Sequence, residues 1–187
     1  MSNHGQILPA LAREAIAARL GIGVGSRENP DADWLQKVAA TFVTLTMHGQ
    51  LRGCIGSLEA HRPLIEDVQA NAVAAAFHDP RFSPLGKDEF HAVDIEVSVL
   101  SALQPVHASD EDIALSKIRR GIDGVVLKYG VHQATFLPQV WDQLPDPHQF
   151  MAHLKQKAGL PADFRHPELQ LYTYQVSKYR EQGSTKA

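Results

Sequence analysis

The sequence predicts an α+β fold made of two similar halves, and two observations carry that expectation. A run of β-branched and aromatic residues, a glycine turn, a second such run and then a helical stretch occurs at 41–77 and again at 123–158. Between the two, Asp94-Ile95-Glu96-Val97-Ser98-Val99 alternates polar with apolar residues, the pattern of a strand with one buried face. The strands are expected to pair into one strongly curved, barrel-like sheet or into two small adjoining ones. The 187 residues then form a single domain with subdomains of roughly 1–110 and 111–187.

The elements follow in order. Leu8, Leu11, Ala15 and Ala18 share one face of a first amphipathic helix over 8–20, and Gly21 is a natural stop. Residues 21–33, rich in Gly, Pro and Asp, read as a loop. A hairpin turns at His48-Gly49 and places Cys54 near the far end of its second strand. Leu64, Val68, Ala72 and Ala75 or Ala76 define the next helix, with Pro63 suited to its start and Asp79-Pro80 to its end. Ser109 to Asp112 resemble a helix N-cap with acidic residues in the first turn. A second hairpin runs from Asp123 to Val140, a helix from Asp146-Pro147 to about Ala158 is closed by Gly159, and 169–179 form a last strand. The polar tail after it is expected to fray.

Composition narrows the function. Net charge is −3 and no basic cluster exceeds Arg119-Arg120, so the electrostatic footprint of a nucleic-acid binder is missing. No apolar run approaches the length of a membrane span, and no basic leader with an apolar block marks export. One cysteine forms no internal disulfide, which suits a reducing cytoplasm.

That cysteine sits in LRGCIGSLE, 51–59, and raises two readings. As chemistry, Cys54 is a nucleophile whose thiolate is favoured by Arg52, which shares its strand face, or by the helix starting near Pro63. As structure, it is a packed sulfur, because cysteine is among the most buried residue types. Gly53 and Gly56 permit positive φ or close backbone approach to a ligand or to a neighbouring element. In FHDPRF, 77–82, Asp79, Arg81 and Phe82 could orient an anionic or planar ligand, or form a turn cap, an internal ion pair and core packing. The ten histidines are scattered, and His91 lies out of phase with Asp94 and Glu96, so no metal site and no cofactor are expected. Dinucleotide, Walker and serine-hydrolase motifs are absent. Gln139, after Leu137-Pro138, could present an amide at a strand end.

Taken together, LRGCIGSLE, FHDPRFSPL, DIEVSVLS, DGVVLKYG, ATFLPQVWDQLP and KAGLP resemble the AMMECR-one domain family, whose bacterial members are called AmmeMemoRadiSam system protein A. The likeness spans about Arg13 to Glu181. It implies two β-rich halves around a cleft, and association with a Memo-like protein and a radical S-adenosylmethionine protein, without implying a reaction. On this chain the family pattern falls on Leu51 to Gly56, Asp79 to Phe82, Glu96, Pro138 and Gln139. Ser83 replaces a usual proline, and Ile122 stands where a polar or basic residue is common. The expectation is a cleft joining Arg52, Cys54, Asp79, Arg81 and Glu96, used either to bind a partner or ligand with Cys54 inert, or to perform chemistry through Cys54.

Overall fold

A computed structural model describes residues 4–23, 25 and 32–181. The tail after 181 and much of the 21–33 loop lie outside the described residues. Helix α1 (His4–Leu20) begins four residues before the apolar period does and carries Pro9 within it. Proline has no N–H, so the helix gives up one backbone bond there. Leu8, Leu11, Ala12 and Ile16 are buried while Ala18 is exposed, so the packed stripe runs through Ala12 and Ile16 and does not reach Ala18. Gly21, with φ +67°, ends the helix in the left-handed conformation.

Strands β1 (Ala40–Met47) and β2 (Gln50–Gly56) form the predicted hairpin. His48 and Gly49 both take positive φ, 51° and 77°, the requirement of a type I′ turn whose twist matches the strands. Helix α2 (Leu64–Phe77) buries Leu64, Val68, Ala72, Ala75 and Ala76 as its period demands. Strand β3 (Val93–Leu100) alternates as far as Val97; beyond it Ser98 is buried and Val99 only half-buried. The second region contains β4 (Gln104–Pro105), α3 (Glu111–Lys117), β5 (Gly124–Tyr129), β6 (His132–Phe136), α4 (Pro147–Lys157) and β7 (Gln170–Tyr174). Asp110 caps α3 and Asp146 caps α4, each carboxylate accepting a backbone N–H three residues on.

The single last strand expected over 169–179 is two strands, β7 and β8 (Val176–Arg180), which belong to different sheets. One sheet has the order β2-β1-β3-β8 and the other β4-β7-β5-β6. The fold is thus mixed α+β with two four-stranded sheets, the second of the two pairings anticipated, and neither sheet is a closed barrel. The chain divides at 100/101 rather than near 110: among the described residues one compact unit runs to Leu100 and resumes at Ser177, and the other is Ser101–Val176. Each has its own core. In the first, α1 and α2 cover Val43, Leu45, Ile95 and Val97; in the second, Phe150, Met151 and Leu154 of α4 pack with Trp141, Val125 and Leu127. Full burial of such a side chain contributes about 1.5–3 kcal/mol.

Candidate functional site

The hairpin turn pairs Met47 with Gln50, and an uninterrupted ladder from that closure would set Cys54 opposite core-facing Val43. A β-bulge intervenes. Leu45 pairs with Gly53 while Thr46 pairs with Leu51, leaving Arg52 as the extra residue. Cys54 is thereby moved opposite Thr44, on the half-exposed face of the sheet, and its thiol is free and partly buried. Thr44 Oγ1 lies 3.4 Å from Sγ and donates to it. Thr44 also pairs with Glu96 on β3, so Cys54, Thr44 and Glu96 form one row across three strands.

The bulge also takes Arg52 out of the alternation, so the expected placement of its guanidinium beside the sulfur is corrected. Arg52 is 7% exposed. Its Nε and Nη2 grip both Glu89 oxygens at 2.9 Å, and Nη2 also donates to the Ser83 carbonyl. The hydrogen bonds to Glu89 raise the arginine's pKa, and those from Arg52 hold the Glu89 carboxyl below its ordinary value. Phe82 receives two cations near its ring, Arg81 at 5.6 Å and Arg52 at 5.9 Å.

Asp79 and Arg81 form the other half of the arrangement. Strand β2 is a sheet edge, and both main-chain groups of Cys54 are taken up from outside it. The Cys54 N–H donates to Asp79 Oδ2 at 3.0 Å, and Arg81 Nη2 donates to the Cys54 carbonyl at 3.3 Å. Arg81 in turn holds Asp79 through Nε at 3.0 Å and Nη2 at 2.7 Å. Asp79 is buried, whereas the Arg81 side chain is 55% exposed. The guanidinium, then the N–H groups of Cys54 and Arg81, keep this carboxyl well below the usual carboxylate range against the cost of burial.

The glycines serve packing. A Cβ on Gly53 would lie 2.1 Å from the Ala75 carbonyl oxygen of α2, and one on Gly56 would fall within 2.3 Å of the Phe42 ring. Neither has positive φ. Glu96, in the Cys54 row, stands two strands from it, accepts a hydrogen bond from Arg180 and is ion-paired with Lys178, both of β8. At the usual spacing of neighbouring strands that is about 10 Å across the sheet. Gln139 belongs to the second unit, where it is exposed in a short 3-10 turn over Pro138–Asp142 and not at a strand end. Ile122, the departure from the family pattern, is 52% exposed.

Three participants escaped the sequence reading. Thr44 is legible only through the bulged register, and Glu89 only through the return of the 78–92 segment onto β2. The third is Asp67, fully buried, which accepts from Thr41 N and Oγ1, Ser57 Oγ, Arg62 Nε and Asn71 Nδ2. Its spacing from Asn71, four residues on the same helix, was the available signal. This saturated network ties α2 to the sheet. Among the described residues no group of three or more His, Cys, Asp or Glu side chains could hold a metal ion. No described helix is long and apolar enough to cross a membrane.

The chain is similar to known proteins over most of its length. The sequence pattern of AMMECR1 matches residues 9–179. A protein of Methanothermobacter thermautotrophicus is 37% identical over 97% of this chain and 96% of its own length. Protein MK0488 of Methanopyrus kandleri is 34% identical over 96% and 89%. The crystal structure of an uncharacterized Pyrococcus horikoshii protein, PH0010, superposes with a TM-score of 0.86 at 30% identity, covering 97% of this chain and 93% of that one. With the pattern matched over nearly the whole length and relatives this similar end to end, the chain belongs to the AMMECR1 family.

Proposed function

We propose that this protein is an accessory, binding component that works with a Memo-like protein and a radical S-adenosylmethionine protein in the cytoplasm, and that the sheet face and edge around Cys54 recognise a protein partner. The observation that carries this reading is that the acids nearest the thiol are already committed. Both Asp79 oxygens are taken by Arg81 and by main-chain N–H groups, and Glu96 is held by Arg180 and Lys178. Asp79, held well below its ordinary range by those bonds, is a poor proton acceptor at neutral pH, and Glu96 stands two strands away, so neither is placed to serve the thiol as a general base. What is offered outward is a recognition surface: Leu51, 43% exposed, the half-exposed Arg81 guanidinium and a partly buried sulfur. The partners' identity rests on the family resemblance.

One observation favours a second reading, in which Cys54 carries or attacks a small electrophile: the Thr44 hydroxyl donates to Sγ, a contact that would stabilise a thiolate. Titration calorimetry of the purified Memo-like protein against wild type, Leu51→Glu and Cys54→Ser separates the two. Binding predicts at least about a tenfold loss with Leu51→Glu and an unchanged affinity with Cys54→Ser. An adduct on Cys54 in intact-mass analysis, abolished by Cys54→Ser while affinity is preserved, selects the second reading.

A further inference from the structure

The second unit contains a cavity of about 390 Å³ between the chain leading into α3 and the segment preceding β7. That is within the range of small-ligand sites, which are concave and mostly apolar with a few charged groups that fix orientation. Val106, Leu169 and Leu171 supply the apolar wall. The two chain segments that line it carry opposite charge. On one, exposed Asp110 uses Oδ1 to cap α3, and beside it Glu111 is ion-paired with Lys155. Lys155 is only 1% exposed, so its charge cancels that of Glu111 and leaves Asp110 as the available anion. On the other side stands Arg165, exposed and, among the described residues, without a hydrogen-bond or ion-pair partner.

A purely anionic ligand would meet Asp110, and a purely cationic one would meet Arg165. A molecule carrying both charges on an apolar body satisfies each side. We propose that this cavity binds a small zwitterion with an apolar body, of the class of a dipeptide or a large apolar amino acid, its ammonium facing Asp110 and its carboxylate held by Arg165. Guanidinium is suited to that carboxylate by its paired donors. The site lies wholly within residues 101–176 and does not depend on the role assigned to Cys54.

The test is a titration of the full-length protein with L-leucyl-L-phenylalanine, followed by amide chemical shifts. The expected result is saturable shifts at Val106, Ala114 and Leu171, with affinity reduced about tenfold or more by Arg165→Ala, the loss of a charge-assisted pair. N-acetylation or C-terminal amidation of the dipeptide should weaken binding comparably. Ala108→Trp, at an exposed position lining the cavity, should abolish the shifts while leaving the rest of the spectrum in place. Absence of saturable shifts up to the solubility limit, or equal affinity for Arg165→Ala and wild type, would overturn the proposal.

Discussion

The two units solve one problem in different ways. In each, the helix that follows the hairpin returns at its C-terminal end to cover the outer edge of the hairpin's second strand. In the first unit, Asp79 and Arg81, just beyond α2, occupy the N–H and C=O of Cys54 with a carboxylate and a guanidinium. In the second, Lys157 at the end of α4 donates to the Thr135 carbonyl at 2.9 Å, and His132 Nδ1 donates to the carbonyl of Ala158. Each sheet also lays an aromatic ring over the glycine directly opposite it, Phe42 over Gly56 and Tyr174 over Gly124. The difference is where charge is buried. The first unit places a buried, ionised carboxylate against its edge strand; the second uses an exposed amine and a buried phenol. An exposed edge needs only a cover, so the Asp79–Arg81 pair beside Cys54 does more: it fixes the position of one residue's main chain.

The largest expected effect comes from the closest approach. Gly53→Ala drives a methyl against a backbone oxygen that cannot rotate away, and should destabilise by at least about 3 kcal/mol, whereas Gly56→Ala meets a half-buried ring and should cost about half as much. Equal urea midpoints for the two variants would show that Phe42 is as immobile as α2.

Next is Asp79→Ala, which leaves the Cys54 N–H without an acceptor and Arg81 without its partner, for a loss of about 2–3 kcal/mol. Asp79→Asn should lose less and should reveal the pH dependence. Asp79 and Glu89 bind protons less tightly folded than unfolded. Their stabilisation is therefore fully present above the ordinary carboxylate values of about 4 and drains away as pH falls through the depressed folded values. Denaturation of the wild type at neutral and acid pH should show this slope, and Asp79→Asn should flatten it.

The second unit should respond at the opposite end of the scale. Burial pushes the Tyr174 phenol up to about 12, partly offset by its hydrogen bond with Thr135. With the folded value above the unfolded one of about 10, its contribution is complete below pH ~10 and is lost as pH rises through the folded value. Tyr174→Phe should be less stable at neutral pH, because Thr135 loses a partner, yet less sensitive to alkali. The same alkaline loss in both proteins would place the alkaline sensitivity outside Tyr174.

The smallest effect is expected for Lys157→Met, about 0.5–1.5 kcal/mol as its exposed amine leaves the Thr135 carbonyl and the Phe136 ring. A loss as large as that of Asp79→Ala would erase the distinction between the two covers.

Much of this architecture was legible because it is local. The left-handed turn at His48-Gly49, the apolar period of α2, the carboxylate caps at Asp110 and Asp146 and the glycine stop at Gly159 follow from backbone sterics and nearest-neighbour spacing. The residues of the candidate site were also picked out by type, including Arg52, Cys54, Asp79, Arg81 and Phe82. Their relations were not. Periodicity placed Arg52 beside Cys54, and one inserted residue in the ladder sent Arg52 to Glu89 and Cys54 to Thr44. The run 169–179 carries one continuous strand pattern, yet it serves two sheets, because pairing partners far away in the chain decide which ladder each half joins. The sequence by itself determined most of the helices and strands, the turns and caps that end several of them, and five of the residues that gather near β2. Only the tertiary structure decided the register, the face on which the thiol lies and which charge answers which, since those depend on long-range pairings that no local period encodes.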